Sequence, residues 1–277
     1  MRTKLTAAYH IAIPTAFKRE TEEVDPVNTV KYLLYLRKLG VHSAMISGTT
    51  GEQHSMTADE KIALVDEVDR HPELADEFEV IFGVAGIRER EAGRLARRVN
   101  ESPVIKGALI GFPPYIQPTQ AEGYAYAQHL TELCSDKDVI IYNNPEQTGF
   151  DISVESFVRL VAAEPNIIGI KETGDWTRVP EMLQRCSRPV FVYAGGEHQL
   201  AAKVRVGYMR ISSIGGNLFP VEMQEWFEQL LTDPTLPFPH QEAVDEIDKH
   251  SFYSYLKDQI SAATGIDMGV GRAPIGD

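Results

Sequence analysis

Eight times along this 277-residue chain, a short β-rich run is followed by a segment with helical periodicity. The runs predict strands over residues 8–15, 42–47, 79–85, 105–111, 138–142, 167–171, 190–194 and 209–214. The segments between and after them predict helices over 26–39, 57–70, 89–100, 119–133, 154–163, 179–185, 198–206 and 220–231. Start and stop signals agree with these limits. Pro26 and Pro118 stand at helix starts, Thr57 with Glu60 three later forms a capping box, Ser153 caps a helix, and Gly40 ends one. A strict strand–helix alternation with no second composition regime predicts a (β/α)8 TIM barrel. The expected division is a barrel over 1–231 and a C-terminal helical extension over 232–277, helical through 241–264. An open doubly wound sheet is the competing fold, but no G-x-G-x-x-G follows the first strand, which weakens its dinucleotide-binding version.

Charge and cysteine content narrow the functional classes. The net charge is −13 and no basic run occurs, which argues against nucleic acid or an anionic membrane as partner. No apolar run approaches the roughly 18 residues of a membrane span, and the N-terminal Met1-Arg2-Thr3-Lys4-Leu5-Thr6 lacks the apolar core of a signal peptide, so none is expected. Two cysteines, Cys134 and Cys186, make no disulfide framework, so a cytoplasmic protein is expected. The histidines show no metal-ligand spacing, and neither a metal nor another cofactor is expected.

In a barrel, chemistry sits at the carboxyl ends of the strands. Strand six, Ile167-Ile168-Gly169-Ile170, runs into Lys171. Burial at a strand end disfavours an ammonium and frees an amine that can attack a carbonyl. The alternative is a lysine that snorkels to solvent. Strand two ends in Gly48-Thr49-Thr50-Gly51-Glu52, whose backbone N–H groups and hydroxyls can hold a carboxylate; the same loop also reads as a plain tight turn. Strand four leads to Tyr115 in a proline-stiffened loop, and strand five ends in Tyr142-Asn143-Asn144-Pro145. One Lys, two Tyr and two Thr at one barrel end suit imine chemistry on a 2-oxo acid, with tyrosine moving protons.

Three motifs, Gly48-Thr49-Thr50-Gly51-Glu52, Tyr142-Asn143-x-Pro145 and Gly169-Ile170-Lys171-Glu172, resemble in order and spacing the dihydrodipicolinate synthase/N-acetylneuraminate lyase family of pyruvate-dependent class I aldolases. The resemblance covers nearly the whole chain. It implies Lys171 as the Schiff-base lysine and Tyr142 as the acid/base phenol. Thr49 would link Tyr142 to Tyr115, and the Thr49–Thr50 loop would hold the pyruvate carboxylate. The tyrosine matching Tyr115 reaches into a neighbouring subunit in the family's synthase branch, which implies a homo-oligomer, a dimer or a tetramer. The candidate substrate-binding residues are then Thr50, Gly48, Gln147, Gly195, Ser212 and Arg210.

The departures bear on the substrate. Gln147 stands where the synthase branch has an arginine for a second carboxylate, and an amide does not replace a guanidinium fork. Lys171-Glu172-Thr173-Gly174-Asp175 is one residue shorter than in relatives, and relatives continue beyond Arg272-Ala273-Pro274 into a further helix that supports the subunit interface. Arg210 is read two ways, as a replacement for the missing arginine or as a barrel-exterior ion pair. The expected partners are pyruvate and an aldehyde. Two other functions stay open: a phosphosugar isomerase or aldolase using the Gly-Gly sequences after strands seven and eight, and a non-catalytic 2-oxo-acid binder.

Overall fold

The computed structural model describes residues 3–247 and 249–275. Strands β1 (Tyr9–Ala12), β2 (Ser43–Ile46), β3 (Glu79–Val84), β4 (Ile105–Gly111), β5 (Asp138–Asn143), β6 (Ile167–Glu172), β7 (Phe191–Ala194) and β8 (Tyr208–Ser213) pair in parallel, each with the next, and β1 pairs with β8. The sheet is a closed barrel in sequence order, β1 to β8, the architecture the alternation predicts. Outside it lie α1 (Pro26–Lys38), α2 (Ala58–Asp69), α3 (Glu89–Glu101), α4 (Gln120–Leu133), α5 (Pro145–Thr148), α6 (Val154–Ala163), α7 (Val179–Arg185), α8 (Leu200–Arg205) and α9 (Pro220–Leu230). The helix starts are fixed by the expected chemistry. Thr57 and Glu60 satisfy each other's backbone donors at α2, Thr119 and Glu122 do the same at α4, and the Ser153 hydroxyl accepts from Ser156 N at α6.

The strands divide the hydrophobic residues by alternation. Outward-facing residues pack under the helices in one continuous core. Leu5, Ala12, Met45, Ile81, Leu109, Ile140, Ile168 and Tyr193 form a second cluster inside the barrel. The floor of the barrel is closed by the N-terminal segment. Asp138 at the start of β5 accepts from Lys4 N and Leu5 N at 2.5 and 2.7 Å, and Glu79 at the start of β3 accepts from Thr6 N at 2.6 Å. Two carboxylates thus seat Leu5 in the floor, and the open end of the barrel is the carboxyl end.

The extension departs from expectation. The segment 241–264 is two helices, α10 (Gln241–Ile247) and α11 (Phe252–Thr264), rather than one. The placement of α11 follows from a buried ion pair between Lys257 on the helix and Glu52 in the loop after β2, both fully buried. The tail beyond α11 returns to the same loop, where Arg272 N donates to Glu52 Oε2 at 2.9 Å. Among the described residues, no helix is long and apolar enough to cross a membrane.

Candidate active site

Lys171 and Tyr142 are register partners on β6 and β5, so their side chains project from adjacent strands at the open end. The Lys171 Nζ lies 4.7 Å from the centroid of the Tyr142 ring. No hydrogen bond or ion pair to that nitrogen is found among the described residues. Burial holds the Lys171 pKa below the usual lysine value, against the opposing pull of Tyr142 and Glu197. A buried ammonium without a counter-ion sheds its proton readily, which leaves an amine lone pair free to attack a carbonyl.

Around this pair the sequence-derived residues fall into three groups. In the first, Thr49 Oγ1 is 3.4 Å from the Tyr142 hydroxyl, so that link of the relay is in place. Gly48, Thr49, Tyr115, Tyr142 and Gln147 line one cavity of about 330 Å³. The second group lies close but off that wall. Thr50 is buried, and Gly195 faces Lys171 so closely that a Cβ added to it would stand 3.2 Å from Lys171 Cε and 2.3 Å from Thr173 Cγ2. Tyr115 reaches the cavity, but its phenol makes no bond to Thr49. Its backbone is left-handed, with φ of 70°, and the residue is 88% exposed.

The third group lies deeper. The Ser212 hydroxyl bonds His10 Nε2 at 2.5 Å, inside the barrel and away from the cavity wall. Burial and the nearby Lys171 and Arg210 hold that imidazole neutral, well below its usual pKa. Arg210 fits neither expectation. Its guanidinium donates to Leu5 O at 3.2 Å and to the Tyr193 hydroxyl at 3.0 Å, and it stacks over the Phe191 ring at 3.7 Å. It is buried inside the barrel at the floor, the opposite end from Gln147, and so neither replaces the missing arginine nor forms an exterior ion pair. Strand alternation explains this: Arg210 and Ser212 face inward two residues apart, and Arg210 is on the lower level.

The connection after Lys171 is held by a buried network. Glu172 accepts from Arg178 Nη2 at 2.6 Å, Asn143 Nδ2 at 2.9 Å and Gly174 N at 2.7 Å. The Gly-Gly sequences do not leave an open anion nest. Glu197, itself buried, accepts from Ile214 N and Gly215 N, both at 3.1 Å, and from the Ser213 hydroxyl at 2.5 Å. A carboxylate already takes the donors a phosphate would need, and its charge would repel one.

Four further residues belong to the site and carried no recognised signal in the sequence. Asn144 Nδ2 donates to the Tyr142 hydroxyl at 2.7 Å, a stronger contact than that from Thr49. Ser47, left-handed at φ of 55°, presents to the cavity a buried hydroxyl with no hydrogen-bond partner among the described residues. His54, from the turn after the Thr49–Thr50 loop, and Tyr253, from α11, also line the cavity and meet with ring centroids 5.9 Å apart.

An amine freed by burial under a phenol, at the carboxyl mouth of a (β/α)8 barrel, is the arrangement of a Schiff-base carbonyl enzyme. A sequence model of the dihydrodipicolinate synthetase family matches residues 8–275. The 4-hydroxy-tetrahydrodipicolinate synthase of Fervidobacterium nodosum is 31% identical over 218 residues, 77% of this chain and 72% of that one. Among solved structures, dihydrodipicolinate synthase from Aquifex aeolicus superposes with a TM-score of 0.85 at 24% identity, covering 97% of this chain and 92% of that one. Wild-type sialic acid aldolase from Ruminococcus gnavus gives 0.83 at 18% identity, covering 98% and 91%. The chain belongs to the dihydrodipicolinate synthetase family. It is an enzyme of that family, a carbon–carbon lyase of the aldolase type.

Proposed function

We propose that this enzyme joins pyruvate to an aldehyde, or releases pyruvate from the aldol product, through an imine on Lys171. The observation that carries the reading is the buried, unpaired Lys171 amine 4.7 Å from the Tyr142 ring. The amine adds to C2 of pyruvate and the carbinolamine loses water. The Tyr142 phenol, acting through Thr49 and Asn144, supplies the proton that leaves with that water. Loss of a proton from the methyl carbon to the phenolate gives an enamine, with the iminium nitrogen as electron sink. The enamine carbon then bonds to the aldehyde carbon, Tyr142 returns a proton to the new alkoxide, and water hydrolyses the imine. Gly48, Thr49 and Thr50 hold the pyruvate carboxylate on backbone N–H groups and hydroxyls, with the free Ser47 hydroxyl beside them.

In this reading the barrel, 1–231, carries the chemistry and the extension, 232–277, closes one side of the mouth. Tyr115 completes the relay across a subunit interface, in a cytoplasmic homodimer or homotetramer. Its 88% exposure and that of Ile116 and Ile87, each 54%, support such an interface. Trapping decides the matter. The enzyme is incubated with pyruvate, reduced with borohydride, and analysed by intact mass and peptide mapping. An adduct on Lys171, absent from Lys171→Ala, is expected; a folded enzyme that gives none refutes the imine.

A further inference from the structure

The proposed pyruvate site leaves the rest of the cavity to the aldehyde, and the wall there is neutral. Its polar groups come from Gln53 and His54, from Gln147 and Thr148 on α5, and from Tyr253 on α11. No Arg, Lys, Asp or Glu lines this cavity among the described residues; Lys171 is itself off the lining and borders it through Tyr142, whose ring centroid lies 4.7 Å from its Nζ. The side chains of Gln147, His54 and Tyr253 make no hydrogen bond among the described residues, so their donors and acceptors remain unspent. Burial lowers the His54 pKa, and burial raises that of the Tyr253 phenol to about 12. Both are uncharged near neutral pH. Lys61 stands behind Gln53, but its ammonium is committed to Gln53 Oε1 and to Ala85 O, both at 3.0 Å.

We infer that the acceptor is a short, neutral, hydroxyl-bearing aldehyde, read by Gln147, His54 and Tyr253, and not an aldehyde that carries a carboxylate. The inference rests on the pyruvate–imine reading and deepens it. Each of the three side chains can both donate to and accept from a hydroxyl, except that Tyr253 and His54 offer one donor each. A carboxylate set against them would lose hydration and gain no cation, a poor exchange in a chain of net charge −13. The volume of about 330 Å³ also suits pyruvate with a short acceptor. Tyr253 gives the extension a role in specificity. It reaches the mouth because α11 is tied to Glu52, the last residue of the loop proposed to hold pyruvate.

The test compares aldehydes on the same enzyme. Pyruvate condensation is followed by product mass with glyceraldehyde and erythrose as neutral hydroxylated acceptors, and with succinic semialdehyde as the charged one. Borohydride trapping with pyruvate alone is run in parallel. The expected result is a kcat/KM at least about a hundredfold higher for a hydroxylated aldehyde, a floor below the roughly 10⁴-fold by which a site built for hydroxyls can reject a ligand lacking them. Gln147→Arg should narrow that ratio about tenfold or more, and Tyr253→Phe should lower it by raising the KM for the hydroxylated acceptor. Trapping that succeeds while succinic semialdehyde is used as well or better, or while neither hydroxylated aldehyde turns over, overturns the inference and leaves the pyruvate–imine reading standing. A ratio that neither substitution moves overturns it too. Failure of trapping removes the pyruvate–imine reading and this inference together.

Discussion

Lys257 and Glu52 tie the extension to the loop after β2, and replacing Lys257 by methionine is the sharpest perturbation of the fold near the site. Both side chains are fully buried. The ammonium also donates to Val270 O at 2.6 Å and lies 4.2 Å from the centre of the Phe17 ring. Methionine keeps most of the stem volume but removes the charge and the donor. Glu52 would then be a carboxylate in a dry site with one backbone partner, Arg272 N at 2.9 Å, and the Val270 carbonyl would lose its lysine donor. Removing one member of a buried pair costs about 3–5 kcal/mol, a large share of the roughly 5–15 kcal/mol that holds a domain together.

The reverse change, Glu52→Gln, should cost less. Burial already pulls the Lys257 pKa down to about 8, so without Glu52 the amine can shed its proton for a cost on the order of 1–2 kcal/mol at neutral pH. The pair of single substitutions is therefore expected to be unequal, with Lys257→Met the worse. The double variant, which leaves no buried charge, should recover at least about 2 kcal/mol of the summed loss. Urea unfolding of the four proteins measures all three quantities. A Lys257→Met cost below about 1 kcal/mol, the range of exposed pairs, or strictly additive single effects, would refute the account of this pair as a buried anchor.

Three further outcomes follow from the geometry. Asn144→Ala removes the 2.7 Å donor to the Tyr142 hydroxyl, and steady-state assay should show kcat reduced about 10- to 100-fold with the KM for pyruvate little changed. Gly195→Ala would drive a methyl into Thr173 Cγ2 at 2.3 Å and crowd Lys171 Cε at 3.2 Å; the expected cost is about 1–3 kcal/mol in urea unfolding, with slower imine trapping. Lys61 gives a pH signature. Burial lowers its pKa from 10.5 to about 8, so between those values the unfolded chain holds a proton that the folded chain has lost. Stability contributed by this residue should therefore rise with pH across that window, on the order of 1 kcal/mol per unit, and Lys61→Met should flatten the rise in unfolding free energy measured against pH.

The barrel was legible because its signals are local. Alternating apolar runs and helix caps lie within a few residues of one another, so Thr57 with Glu60 and Ser153 mark helix starts whatever the tertiary structure does. The break between α10 and α11 was not. The Ser251 side chain makes no capping bond at the start of α11, and that helix is oriented by a partner 205 residues away, Glu52. The site divides the same way. Lys171 and Tyr142 stand near their strand ends and Thr49 in the loop just after β2, and the order of strands in the barrel brings them together. Asn144 sits two residues from the phenol it supports, yet nothing in the spacing says that its amide turns back. Tyr253 comes to the mouth from the extension, which no pattern of strands and helices could place.

Arg210 shows why charge could not be placed from the sequence, and what its placement means. From the sequence, Lys171 reads as a cation at the end of its strand, while Arg210 is left between the site and the barrel exterior. The barrel sorts them by level: Lys171 near the mouth beside Tyr142, Arg210 at the floor on Leu5 O and the Phe191 ring. The other buried cations are similarly committed, Lys257 to Glu52, Lys61 to Gln53 and Ala85 O, and Lys137 to Ser102 O. Each is held by a hydrogen-bond or ion-pair partner except Lys171, which has none among the described residues. The chain thus does not lack buried positive charge; it keeps that charge off the lining of the cavity beside Tyr142, where the inference places the aldehyde. A neutral cavity lining in such a barrel is a property of the arrangement, and in the proposed reading the unpaired Lys171 amine is the group that forms the bond.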